Sequence, residues 1–210
     1  APVTEPVVKR PDTRQPGLSR RGLLLAGATA AGIVGVTTVG QTLTPLHDLA
    51  LLAPRDPDDG PDGVPINRTA AAAGVRMTAV DPDYRFSVGS DGAVSFAVAD
   101  LEAMPLQTMQ LPISCVEGWS RGASWRGIPL RAMLSLAGLH DRVPIRLISI
   151  ESRGSYRTST IDPEQADRAL LALFLNGHRL TVDHGYPMRL IAPDRPGVLQ
   201  TKWLRTIEYA

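Results

Sequence analysis

Residues 111–130 read Leu-Pro-Ile-Ser-Cys-Val-Glu-Gly-Trp-Ser-Arg-Gly-Ala-Ser-Trp-Arg-Gly-Ile-Pro-Leu, and Cys115 within them is the only cysteine among 210 residues. A single thiol cannot close an internal disulfide. The roles left to it are a buried apolar thiol, a nucleophile, half of an intermolecular bond, or a metal ligand. A nucleophilic cysteine needs a base beside it, and none stands near in sequence. Zinc takes about three or four protein ligands, and His47, His140, His178 and His184 show no ligand spacing. One cysteine suffices for a metal only when the metal arrives already held by an organic cofactor.

Outward from this stretch, the pattern is that of a mixed, strand-rich α+β domain over 66–210. Residues 111–116 form a strand that ends at the cysteine. Pro129 opens a helix whose apolar face is Leu130, Met133, Leu134 and Ala137, with Gly138 as its terminator. Upstream, 84–88 and 93–98 alternate apolar and polar around Ser90-Asp91-Gly92, a β-hairpin pattern. Asp100 caps a short helix that stops before Pro105. Downstream, 145–150 is a strand, Asp162-Pro163 opens a helix, and 171–175 is an apolar strand running into the tight-turn pair Asn176-Gly177. Residues 188–192 and 203–209 are the last strands.

Before this domain the composition changes. Residues 1–21 form a flexible, basic lead rich in proline and charge. No charged residue occurs from Gly22 to Leu46. That run exceeds the roughly 18 apolar residues that span a bilayer, although Gly, Ala and Thr dilute it. The 22–52 segment is therefore expected to be an N-terminal hydrophobic helix. It follows Ser19-Arg20-Arg21, so it reads as a twin-arginine export signal or as a membrane anchor with its basic flank inside. Either places the domain outside the cytoplasm, in the periplasm or on the outer face of the membrane. Residues 53–65 are too dense in Pro, Gly and Asp for helix or strand and read as a disordered linker. A net charge of +1, with no basic stripe carrying interleaved aromatics, excludes nucleic acid as a partner.

The blocks around the cysteine resemble one family. Cys115-Val116-Glu117-Gly118-Trp119-Ser120, then Trp125-Arg126-Gly127-Ile128-Pro129-Leu130, are similar to the centre of the sulfite-oxidase-type molybdopterin domain. Ser155-Tyr156-Arg157-Thr158-Ser159, Asn176-Gly177, Asp183-His184-Gly185-Tyr186-Pro187-Met188-Arg189-Leu190 and Thr201-Lys202-Trp203-Leu204 follow in the family's order. The nearest motif is that of the periplasmic methionine-sulfoxide reductase branch. Sulfite oxidases typically carry Cys-x-Gly-Asn-Arg-Arg here, and the second half of that pattern is missing. The resemblance implies a sulfite-oxidase-like fold and a molybdenum–molybdopterin cofactor (Moco), with Cys115 as the metal ligand. It implies cofactor contacts from Asn67, His184, Arg189, Gly197, Gln200, Thr201 and Lys202, the turn at 197–202 supplying backbone N–H donors. It places Tyr156 near the metal as a second catalytic residue. Leu199 and Gln200 stand where many family members carry a basic residue. Arg121, Arg126, Arg153 and Arg157 are further candidates for an anionic substrate.

The function so implied is two-electron oxygen-atom transfer on a small sulfite-like or sulfoxide-like substrate. The chain has no Cys-x-x-Cys-His heme motif and no other redox motif, so electrons are expected to pass to or from a separate partner, such as a membrane cytochrome. The alternative from another class is a non-enzymatic, exported, strand-rich binding module, which needs no metal.

Overall fold

The computed structural model describes residues 19–39, 60–89, 94–115 and 118–210. The chain divides into two units after Pro54. In the first, helix α1 spans Arg20–Val39, and Ser19 caps it through its hydroxyl, which accepts from the Gly22 N–H at 3.1 Å. Leu23, Leu24 and Leu25 are exposed on it. Among the described residues, no helix is long and apolar enough to cross a membrane. The remainder of the expected hydrophobic segment, residues 40–52, lies outside the described residues, as do 1–18 of the lead, 53–59 of the linker and the Ser90-Asp91-Gly92 turn.

The second unit is built on two five-stranded sheets. One has the order β2-β1-β10-β5-β6, from β1 Phe86–Val88, β2 Val94–Phe96, β5 Ile145–Ser149, β6 Thr158–Ile161 and β10 Leu204–Tyr209. Only its β1–β10 pair is parallel. The other runs β3-β4-β7-β8, from β3 Gln107–Ser114, β4 Ser120–Pro129, β7 Leu170–Leu175 and β8 His178–Arg179, with β9 Arg189–Ile191 also on β7. Short helices α2 Ala70–Ala73, α3 Arg76–Ala79, α4 Val98–Ala103, α5 Leu130–Leu136 and α6 Pro163–Ala166 join them. The result is the mixed, strand-rich α+β class that the pattern predicts.

Two apolar clusters hold the sheets. The larger gathers Phe86, Leu130, Leu134, Leu147, Leu190 and Ile207, all fully buried. Each contributes about 1.5–3 kcal/mol by leaving water. The smaller packs Trp125, Trp119, Ile113, Leu175 and Ile191 beneath the β3–β4 hairpin, with half-buried Cys115 against it. Helix α5 follows its predicted face, with Leu130, Met133 and Leu134 buried, and the Leu139 N–H closes its end on Leu134 O at 2.8 Å. Asn176 and Gly177 turn the β7–β8 hairpin with φ of 47° and 90°, the left-handed pair that such a turn demands.

Three local expectations change. Helix α4 begins at Val98 rather than after Asp100; Asp100 sits in its first turn and accepts from the Ala97 N–H at 2.8 Å. Strand β4 has no counterpart in the predicted elements. Its buried face is Ala123, Trp125 and Gly127, and a bulge between Arg126 and Gly127 then buries Ile128 as well. Small residues and the bulge hide the period of two. The end of the expected linker, 61–65, belongs to the packed domain. Val64 is fully buried in the smaller cluster, and Asn176 Nδ2 donates to Asp62 O at 2.6 Å.

Candidate active site

Cys115 leaves the end of β3 and enters a tight loop back to β4. Its N–H donates to Trp119 O at 2.9 Å, and Gly118 N–H donates to Cys115 O at 3.1 Å. The Ser114 and Ser120 hydroxyls meet at 3.0 Å across the base of the loop. Beneath it, buried Trp125 donates its indole N–H to Leu111 O at 3.1 Å. The thiol is thus carried on a rigid two-stranded arm. Val116 and Glu117 lie outside the described residues.

The thiol opens on a pocket walled by Asn67, Trp119, Arg189, Gly197 and Lys202. Asn67 Nδ2 approaches Cys115 Sγ at 3.9 Å, a weak N–H···S contact. A second, wider recess shares Asn67, Gly197 and Lys202, and adds Arg68, Glu151 and Tyr156, with Gln200 and Thr201 behind them. Five of the residues expected at the site therefore share the first pocket, and Tyr156, Gln200 and Thr201 border the second.

Two cations dominate the electrostatics, Arg189 buried and Lys202 half-buried. Arg189 is 2% exposed, and burial pushes its guanidinium from its ordinary value down to about 9. One of its nitrogens donates to His184 O at 3.0 Å, and its plane lies 5.2 Å from the Trp125 ring. Its Nε has no partner among the described residues. Lys202 donates from Nζ to Arg68 O and Asp183 O, both at 2.8 Å, so one of its three N–H groups is left over. Burial first, then the charge of Arg189, push its ammonium down to about 7. Among the described residues, no carboxylate lies at ion-pair distance from either cation. Two desolvated cations with spare donors make a seat for an anion.

The backbone makes their convergence possible. Gly185 has φ of 112°, and a Cβ there would come within 3.1 Å of Arg189 Cβ and 3.2 Å of Lys202 Cβ. Trp203, directly after Lys202, holds φ of 49° with its indole N–H on Val182 O at 2.6 Å. A buried tryptophan in that region is strained by about 1–3 kcal/mol, and the strain turns the chain between the lysine and β10. Gly197 seats its turn against β3, where a Cβ would meet Ser114 O at 2.7 Å.

The other expected residues also carry contacts within the protein. The His184 ring is buried, and its Nε2 lies 2.7 Å from Pro61 O. A carbonyl only accepts, so Nε2 carries the proton. Burial lowers the His184 pKa, which keeps the ring neutral. This residue lines neither pocket; its carbonyl holds Arg189. Gln200 donates to Arg195 O at 2.9 Å, and Thr201 pairs with the Ser159 hydroxyl at 2.7 Å. The turn at 197–202 offers fewer backbone donors than expected, because the Leu199 and Gln200 N–H groups are bonded to Pro196 O and Gly197 O. Tyr156 stands on a turn with 51% of its surface exposed. Arg68, Glu151, Asp183 and Gly185 complete the surroundings without having been singled out as site residues; only a glycine inside the motif that carries Arg189 offered a signal, and for Gly185 alone.

Comparison with known proteins gives the family and the fold. The family model for the oxidoreductase molybdopterin binding domain matches residues 73–210. The uncharacterized oxidoreductase YuiH of Bacillus subtilis is 30% identical over 57% of this chain and 60% of its own length. The NADH nitrate reductase of Petunia hybrida is 36% identical over 40% of this chain and 10% of its own. YedZ1 of Azospira oryzae, provisionally named a protein-methionine-sulfoxide reductase subunit, is 28% identical over 54% of this chain and 43% of its own. The matched region thus spans less than two thirds of each of these relatives. The crystal structure of the sulfane dehydrogenase SoxCD from Paracoccus pantotrophus superposes with a TM-score of 0.55 at 23% identity, covering 61% of this chain and 38% of that one. That likeness shows the sulfite-oxidase-like fold. A thiol on a two-stranded arm, beside a buried arginine and a half-buried lysine with no described carboxylate at ion-pair distance, suits a metal held by an anionic organic ligand. The matched region covers most of the second unit and includes every site residue named above except Asn67 and Arg68, so the chain belongs to the oxidoreductase molybdopterin binding domain family, and its cofactor is molybdenum–molybdopterin.

Proposed function

We propose that this domain is an oxygen-atom-transfer oxidoreductase acting on a small substrate of the sulfite or sulfoxide type, with Cys115 as the molybdenum ligand. The observation that carries the reading is the single thiol of the chain facing one pocket with Arg189 and Lys202. Cys115 holds the metal as its thiolate. Arg189 and Lys202 hold the anionic tail of the pterin through the Nε and Nζ donors left over. Asn67 orients the thiol, and Trp119 shapes the wall. Bound there, the molybdenum cofactor supplies two-electron oxygen-atom transfer. Tyr156 offers its exposed hydroxyl to a substrate entering the wider recess.

The sulfoxide side of this pair is favoured by Cys115-Val116-Glu117-Gly118-Trp119-Ser120, which lacks the Asn-Arg-Arg that sulfite oxidases carry, and by the name given to YedZ1. We place the domain outside the cytoplasm. Its electrons pass to or from a separate, membrane-bound cytochrome, and the arm before residue 60 carries either an export signal of the twin-arginine type or an anchor.

Elemental analysis of the full chain, expressed in a host that makes the cofactor, tests the first step: about one molybdenum per chain is expected, and its absence sinks the reading. Cys115→Ser is expected to abolish turnover with the circular dichroism unchanged. A panel of sulfite, sulfoxides and N-oxides then ranks the substrates. Electron exchange with isolated membranes that survives removal of residues 1–59 unchanged would refute the role of the arm.

A further inference from the structure

The segment from Gly60 to Thr69 forms one wall of the Cys115 pocket. Its first part is held by the His184 ring on Pro61 O at 2.7 Å and by buried Val64. Its last part carries the two contacts that face the site: Asn67 Nδ2 toward Cys115 Sγ at 3.9 Å, and Arg68 O accepting from Lys202 Nζ at 2.8 Å. The Arg68 side chain borders the wider recess beside Glu151, and its Nη2 lies 3.0 Å from Glu151 Oε2. Glu151 follows strand β5 and is 7% exposed. Burial raises its carboxyl pKa, which Arg68 and then Lys202 lower. Gly154 covers the pair; a Cβ there would stand 3.1 Å from Arg68 Nη1 and 3.3 Å from Glu151 Oε2. Among the described residues, Arg68 is the only cation at ion-pair distance from this carboxylate. The Arg68 side chain is 39% exposed and Glu151 Oε2 accepts no well-aligned hydrogen bond, so the contact is an ion pair by distance; removing Arg68 still leaves the buried carboxylate uncompensated.

We propose that Arg68 is a positioning residue: paired with Glu151, it fixes residues 65–69 so that Asn67 faces the Cys115 thiol and the Arg68 carbonyl holds Lys202 at the cofactor pocket. Arg68 acts through those two neighbours. The inference rests on the reading of this pocket as the cofactor site.

The test uses the full, cofactor-loaded chain and Arg68→Ala, Arg68→Lys, Glu151→Gln and the Arg68→Ala/Glu151→Gln double variant. Two quantities are followed: molybdenum retained per chain through repeated desalting, and hydrogen exchange at Ala70 and Ala72, the first bonded amides after the segment. Arg68→Ala and Glu151→Gln should each speed molybdenum loss and exchange about tenfold, equivalent to about 1.4 kcal/mol. The double variant should add little to either single one, as expected of two ends of one contact, and Arg68→Lys should restore most of the loss. Unchanged exchange in both single variants, additive effects in the double, or faster exchange throughout strands β4 and β7 would each overturn the proposal. Should Arg68→Ala fail to fold, Arg68→Gln, which also removes the cation, takes its place in the single and the double variant. A wild-type chain without molybdenum would sink the cofactor reading of the pocket, whereas the exchange measurement would still decide the clamp.

Discussion

Replacing Arg189 with methionine should stabilise the cofactor-free protein while destroying its ability to hold the cofactor. The guanidinium is 2% exposed, and burial carries its pKa down to about 9. At pH 7, below both the folded and the unfolded values, it is protonated in both states, so the whole burial cost is present. At about 1.4 kcal/mol for each tenfold change in acidity, that cost is roughly 5 kcal/mol. Two contacts offset it: the charged hydrogen bond to His184 O at 3.0 Å, about 1.5–3 kcal/mol, and the Trp125 ring at 5.2 Å, about 1 kcal/mol. Methionine keeps the apolar stem as far as the Nε position and removes the charge. The net expected gain is about 1–2 kcal/mol, or about 3–6 °C in Tm for a domain of this size. Calorimetry of wild type and Arg189→Met without cofactor, at pH 7, measures it. Inorganic pyrophosphate should raise Tm of the wild type and leave the variant unmoved. A fall in Tm of several degrees in Arg189→Met, or molybdenum retained by it, would show that the arginine is a structural group and refute the argument.

The remaining predictions concern the same frame. Lys202, pushed down to about 7 by burial and by Arg189, stays charged in the unfolded chain to about pH 10.4. The unfolded state therefore binds more protons between these values, and the cofactor-free domain should gain stability as pH rises from 7 to 9; equal pH dependence of the urea midpoint in wild type and Lys202→Met would contradict this. Gly185→Ala forces a side chain onto φ of 112° and to 3.1 Å from Arg189 Cβ. It should lower molybdenum content several-fold and stability by about 1–2 kcal/mol, and full retention would count against the packing argument. Gly127→Ala would place a Cβ 2.0 Å from Leu171 O. It should destabilise the domain by about 3 kcal/mol or more, and a urea midpoint within about 1 kcal/mol of wild type would be inconsistent with the β4–β7 register.

Much of the domain was legible wherever a local rule acts alone. Helix α5 announces itself by Pro129 and the spacing of Leu130, Met133 and Leu134, and the β7–β8 hairpin by Asn176-Gly177. Strand β4 was not legible, because alanine and glycine flank Trp125 on its buried face and a bulge breaks its alternation. At the site, the motif order located Cys115, Arg189 and Lys202, which meet in one pocket. His184 belongs to the same motif, yet its ring faces Pro61. Motif membership records proximity along the chain, whereas ring direction depends on a segment 123 residues away. Arg68 and Glu151 were illegible for the same reason, since each matters only through the other.

The lone cysteine also makes the protein its own gauge. With one sulfhydryl in the chain, and that one proposed to be bonded to the metal, a native thiol titration counts the molecules that have lost their cofactor. It should read near zero for a fully loaded preparation and near one after extraction, once the freed cofactor, whose own dithiolene sulfurs react with the same dye, has been removed. Loading, leakage and damage can then be followed in real time by a dye, on any variant that keeps residue 115.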